Sequence, residues 1–272
     1  MISALIAAVV VAALLAIFWK EIMFFINPYV IQPPAAAGFT CDAAKFDGAN
    51  DYITRQDLTG LVDSKKGSVS LWVRFDNTGV QTRFLVHPKF YVERTSGGKI
   101  RVQGADPFSH VGLNVSSVNS YGASATWRHI LISFDLGSGL FHMYVNDSDD
   151  AGTPDALDNE TIDFVQPINN DWSVGGPSFL AFLLNGALAE VYFIADTYID
   201  FSVEANRRKF IDASGKPADL GSDGSTPTGT APHIYLHLDD GEAVANFAVN
   251  RSGAGDFSIV GTLDAASTSP SD

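Results

Sequence analysis

"SVSLWVRF", residues 68–75, decides the fold. Val69, Leu71, Val73 and Phe75 fall on one side of an extended chain, Ser70, Trp72 and Arg74 on the other. Successive strand side chains point to opposite faces, so this period-two alternation predicts a β-strand with one face on a core. The theme repeats outward from it. "TRFLVH" (82–87) and "KFYVER" (89–94) flank Pro88, and "KIRVQG" (99–104) follows a Gly-Gly turn. "WRHILISFDL" (127–136) and "LFHMYVND" (140–147) flank "GSG", a hairpin turn. Strands are also expected at "TIDFV" (161–165), "WSVGG" (172–176), "GALAEVYFIADTYI" (186–199), "HIYLHLDD" (233–240) and "DFSIVGTL" (256–263).

Many short strands with turns at regular spacing, and no βαβ alternation, predict an all-β antiparallel two-sheet jelly-roll sandwich. One segment departs from the pattern. "DFSVEANRRKFID" (200–212) puts Val203, Asn206, Phe210 and Ile211 near helical spacing, with Ser202 as candidate N-cap. It predicts a short helix on the sandwich edge.

The first residues are of another kind. "MISALIAAVVVAALLAIFWK" is apolar from Ile2 to Trp19 apart from Ser3, with Trp19 and Lys20 placed as interfacial anchors. Residues 1–22 are therefore expected to form a hydrophobic helix, in a membrane or in an assembly. A third reading starts the protein at Met23. Residues 23–38, with paired prolines and small residues, read as an extended spacer. The sandwich is expected over 39–263 and a polar tail over 264–272.

The chain has 272 residues and a formal net charge of −14, so it lacks the basic footprint of a nucleic-acid binder. Its one cysteine, Cys41, rules out an intrachain disulfide and a cysteine-based zinc site. Asn-x-Ser/Thr triplets at Asn114, Asn146, Asn159 and Asn250 are what a Ser/Thr/Asn-rich β protein collects by chance.

"AKFDGANDYI" (44–53), "SVSLWVRF", "WRHILISFD", "HMYVND" and "NGALAEVYFI" (185–194) occur in the order seen in concanavalin A-like lectin/glucanase domains, the laminin-G-like jelly rolls. The stretch 200–240 and the opening "FFINPYV…AAAGF" resemble laminin-G-like proteins of tailed phages and prophages. That resemblance implies a virion-associated or surface-recognition protein, binding a host glycan or neighbouring virion subunits and expected to be a homo-oligomer. The alternative is a membrane-anchored bacterial surface lectin or adhesin held by residues 2–19.

The resemblance also implies a structural Ca²⁺. Asp47, Asn50 and Asp51 offer hard oxygens around Gly48, and Glu190 occupies an Asp-Glu-Val position whose first acid is here Ala189. The alternative is an Asx-rich turn satisfying its own backbone, inside a first strand pair with Phe46 and Tyr52 as core anchors and Gly48 permitting the turn. For sugar binding, the candidates are Trp72, Arg74, Tyr91 and Trp172, with Arg83 and His87 near them. Trp72 also reads as core, Trp127 as structural, and Trp172 as the exposed indole. No catalytic pair is expected: in "DNETIDF", Asp158, Glu160 and Asp163 lack the spacing of paired carboxylates on one strand face. His233 and His237 lie too far apart along a strand to share one metal.

Overall fold

A computed structural model describes residues 38–166 and 171–272. The expected helix over 1–22 and almost all of the spacer lie outside the described residues. Among the described residues, no helix is long and apolar enough to cross a membrane.

Among the described residues, sixteen strands form two eight-stranded sheets, and the strands within each sheet pair antiparallel. The first sheet contains β1 (Ala44–Asp47), β3 (Lys66–Phe75), β8 (Arg128–Asp135), β9 (Leu140–Val145), β10 (Ser148–Asp149), β13 (Asn185–Ala195), β14 (Ile234–Leu236) and β16 (Asp264–Ala265). Its order is β10-β9-β8-β3-β13-β1-β16, with β14 also on β13. The second contains β2 (Tyr52–Gln56), β4 (Thr82–His87), β5 (Phe90–Arg94), β6 (Ile100–Ala105), β7 (Val111–Ser116), β11 (Ala156–Leu157), β12 (Asp171–Val174) and β15 (Ser258–Val260). Its order is β11-β7-β6-β5-β4-β12-β2-β15.

The alternation of β3 resolves as expected: Val69, Leu71, Val73 and Phe75 are in the core between the sheets. An aromatic knot of Phe90, Phe164, Trp172 and Phe193 joins the two sheets, with Trp172 and Phe193 stacked at 4.9 Å. The other face of the first sheet is also covered. Leu131, Tyr192 and Ile194 meet Ile199, Phe201, Phe210 and Leu220 of the chain that follows β13. Trp72, Ala187 and Ala189 meet Cys41, Trp127 and Ile211. The outer face of the second sheet carries no such apolar layer among the described residues.

Several expectations are corrected. β1 and β2 are consecutive but do not pair; β1 joins the first sheet through β13, and β2 joins the second through β12. Asp47-Gly48-Ala49-Asn50-Asp51 is thus a crossing between sheets. Gly48 has φ +75°, and a Cβ there would come within 2.7 Å of Asn185 Cβ, so glycine is required. "TIDFV" forms only an isolated bridge, Ser64 with Ile162. The helix α1 (Glu204–Arg207) is four residues long, and Val203, not Ser202, is its N-cap. Ser202 instead bonds to Asp200 through both its N–H and its hydroxyl. The polar tail is docked: Asp264 and Ala265 pair with β1, and Ser271 Oγ bonds to both the N–H and the carbonyl of Cys41.

Candidate functional site

The open face of the second sheet follows from strand register. Antiparallel pairing sets Tyr91 opposite Gln103 and Glu93 opposite Arg101, and a bulge in β4 sets Arg83 opposite Glu93. The alternate residues Val92, Val102 and Leu85 go to the core. Polar side chains therefore gather across three strands. Glu93 is fully buried and receives Arg83 Nε at 3.0 Å, Gln81 Nε2 at 2.8 Å and Arg101 Nε at 2.8 Å. A buried carboxylate is tolerable only with such charge-assisted partners.

The same arginine builds the surface. The Arg83 guanidinium lies 3.8 Å over the Tyr91 ring and 5.1 Å over Phe182, a cation–π sandwich. Tyr91 Oη donates to Gln103 Oε1 at 2.6 Å, and burial pushes the phenol's pKa up. Beside this group is a cleft of about 410 Å³ lined by Arg83, His87, Gln166, Asp171, Ser173 and Phe179. A second hollow of about 490 Å³, with Tyr52, Thr54, Gln56 and Asp256 on its walls, shares Asp171 and Ser178 with the first. The two make one groove across β4, β12 and β2.

The loop at the groove's edge is apolar and strained. Phe179 is 62% exposed and Leu180 56%. Leu180 (φ +55°) and Phe182 (φ +60°) occupy the left-handed region, which costs side-chain-bearing residues energy. The N–H of Arg83 holds the loop by donating to the Phe182 carbonyl at 2.8 Å.

The sequence candidates are divided among three places. Tyr91 is on the open face with Arg83. Trp72 and Arg74 are on the covered face of the first sheet. Trp72 stacks on His129 at 4.6 Å, and Arg74 pairs with Asp76 at 3.1 Å and bonds to Thr268 Oγ1 at 2.7 Å. They share no surface with Tyr91. Trp172, expected to be exposed, is fully buried. Its strand lies between β2 and β4, and its indole points inward, where His87 stacks on it at 5.0 Å. Phe179, Glu93, Arg101 and Gln103 were not anticipated. The alternation in "FYVER" and "IRVQ" puts these polar residues on one side, but only the pairing register brings them together.

The four calcium candidates do not fit one ion. Asp47 is opposite Asn185 across β1 and β13, five residues from Glu190, roughly 16 Å at strand rise. Asp47 Oδ1 accepts the N–H groups of Ala49 and Asn50, which lower its pKa. Asp51 Oδ2 accepts Asp47 N–H and its Oδ1 accepts Thr262 N–H. With the Asn50 amide oriented by its hydrogen bonds, its nitrogen stands 3.3 Å from Asp47 Oδ2 and 3.2 Å from Asp51 Oδ1, donating where a cation would bind.

Glu190 is buried elsewhere, at φ +49°, in a bulge where β13 changes partner from β1 to β14. It accepts from Tyr235 Oη at 3.2 Å and pairs with His237 Nδ1. His237 Nε2 is 3.0 Å from Asp239 Oδ1. Burial opposes charge on this imidazole, but the two carboxylates outweigh it and raise its pKa.

The carboxylates of "DNETIDF" are also separated by environment. Asp163 is buried, and burial together with the Asp63 charge raises its pKa. Glu160 is half-exposed, near His110.

A two-sheet antiparallel jelly roll is an architecture that lectin domains share with viral capsid proteins and cupins. The chain belongs to the concanavalin A-like lectin/glucanases superfamily, whose sequence profile matches residues 47–196. No curated protein matches the chain in sequence. Among solved structures, a candidate carbohydrate-binding protein from Bacteroides ovatus is similar in fold, with TM-score 0.58 and 15% identity. The likeness covers 83% of this chain and 59% of that one, so the chain spans less than two thirds of that protein's length. A heptameric SAP-like pentraxin from Limulus polyphemus aligns at TM-score 0.44 and 11% identity, over 59% of this chain and 78% of that one. The CBM40 of a Ruminococcus gnavus sialidase, bound to sialyllactose, aligns at TM-score 0.43 and 13% identity, over 60% of this chain and 95% of that one.

Proposed function

We propose that the protein is a non-catalytic recognition module that binds a glycan on the outer face of its second sheet. One observation carries this reading: of the two outer sheet faces, this one has no apolar cover among the described residues and presents an aromatic–arginine group beside a groove. Phe179 offers an exposed ring face to the C–H face of a sugar, Tyr91 with Arg83 stacked on it forms the neighbouring wall, and Arg83, Gln103 and Asp171 offer hydrogen bonds to its hydroxyls. A virion or cell surface is the setting proposed for it, on the resemblance of residues 200–240 to phage laminin-G-like proteins.

The test is a glycan array followed by calorimetry on the ligands it finds. Tyr91→Ala and Phe179→Ala are expected to weaken binding by about tenfold or more, the usual effect of removing an aromatic anchor. Silence across the array, or variants that bind like wild type, would overturn the reading.

A further inference from the structure

At the end of the second sheet, the turn from β6 to β7 carries Asp106 and His110, and the chain after β11 brings Glu160 over it. One ligating atom from each of the three lies within 4.8 Å of the others. His110 Nδ1 is 3.6 Å from Glu160 Oε1, and Asp106 Oδ1 accepts the backbone N–H of His110 at 2.7 Å.

The backbone holds this arrangement from both sides. Asp158 N–H donates to the Gly112 carbonyl at 2.8 Å and Asp163 N–H to the Ala105 carbonyl at 3.0 Å, so Glu160 is clipped to the turn at either flank. Gly112 makes the approach possible: a Cβ there would come within 2.6 Å of Glu160 Cβ. Lys89 Nζ bonds to Ser109 Oγ at 2.6 Å and to the Pro107 carbonyl at 3.4 Å, tying the turn to the residue just before β5.

We propose that Asp106, His110 and Glu160 form a site for a divalent transition-metal ion of the zinc class. The imidazole sets this group apart from an acidic patch. Calcium and magnesium take oxygen ligands, whereas one imidazole with two carboxylates suits zinc, cobalt or nickel. Two carboxylates and a neutral imidazole carry the charge a divalent ion cancels. Three protein ligands leave a fourth position for water or for a ligand oxygen. The competing account is a plain His110–Glu160 surface ion pair, worth about 0–1 kcal/mol. The site is separate from the Arg83–Tyr91 group, so its success or failure is independent of glycan binding.

Calorimetric titration of the full chain with Zn²⁺ tests it, alongside Co²⁺ absorption in the visible range. Wild type is expected to bind one ion and to melt at a higher temperature with Zn²⁺ present. His110→Gln and Glu160→Gln should each lower the affinity by about tenfold or more, on the scale of losses at metal sites. Both should leave melting without metal unchanged, because the two side chains are 57% and 40% exposed. His142→Ala, which removes a histidine paired with Asp200 at 3.4 Å, should bind as wild type does. Equal Zn²⁺ affinity in wild type and His110→Gln, or a loss shared by His142→Ala, would overturn the proposal.

Discussion

His129 shows how one residue ties burial to pH. It lies in β8, fully buried, with Nε2 2.9 Å from Ser70 Oγ and its ring stacked on Trp72. Burial drives its pKa from 6.5 down to about 3, against a smaller opposing pull from Asp147. The folded chain therefore excludes a proton that the unfolded chain takes up below its ordinary value. The unfolded state binds more protons across that window, so stability rises with pH there and is lost as pH falls from about 6.5 toward 3. The slope reaches at most about 1.4 kcal/mol per pH unit. His237 acts in the opposite sense, because Glu190 and Asp239 raise its pKa; its contribution is present below its unfolded value and is lost as pH rises through its folded one. The two are separable by mutation. Urea midpoints followed from pH 7 to 4 should fall less steeply in His129→Gln than in wild type; parallel curves would show that His129 does not titrate on unfolding.

Within elements, clean alternation made strands legible, as in β3 and β8, but strand ends and partners were not. A strand's length is set by how many residues find a partner. "TIDFV" has the composition of a strand and pairs at one bridge, while "HIYLHLDD" yields only the three residues of β14. β13 is continuous because β3 pairs along it on both sides of the bulge at Glu190, while on its other edge β1 gives way to β14. The end of β12 is equally constrained. Gly175 has φ +87°, and a Cβ there would come within 2.3 Å of the Phe46 ring. Gly175→Ala combines backbone strain with overpacking of the core and should cost about 2–4 kcal/mol. A urea midpoint equal to that of wild type would show that β12 and Phe46 can move apart.

For the whole molecule, the decisive feature is which sheet is covered. The chain after β13 and the C-terminal residues close over the first sheet, and among the described residues no such apolar layer covers the second. The last residues do part of this: Thr268 bonds to Arg74 and Trp127, Ser271 to Cys41, and Lys216 Nζ to the Ser271 carbonyl at 2.6 Å. Each such bond is worth about 1 kcal/mol. Truncation after Leu263 should therefore lower the melting temperature by several degrees and raise dye binding to exposed apolar surface around Trp72 and Trp127. Any glycan affinity should survive, since the Arg83–Tyr91 group is on the other sheet; loss of affinity in a folded truncation would show that the two faces are coupled.

The sequence by itself determined the class of fold, because alternation is a local property: side chains with period two can bury one face only in a sheet. It also carried the core face of β3, the "GSG" hairpin and the absence of a basic footprint. It did not determine which polar residues meet. Arg83, Glu93 and Arg101 lie on three strands, and only their register makes them one site. Trp72 and Trp172 are alike as letters, yet one is under the C-terminal cover of the first sheet and the other is between the sheets. Asp47 and Glu190 look like partners until pairing with β13 sets them far apart along one strand. Burial and juxtaposition come from contacts distant in sequence, and only the tertiary structure decided those.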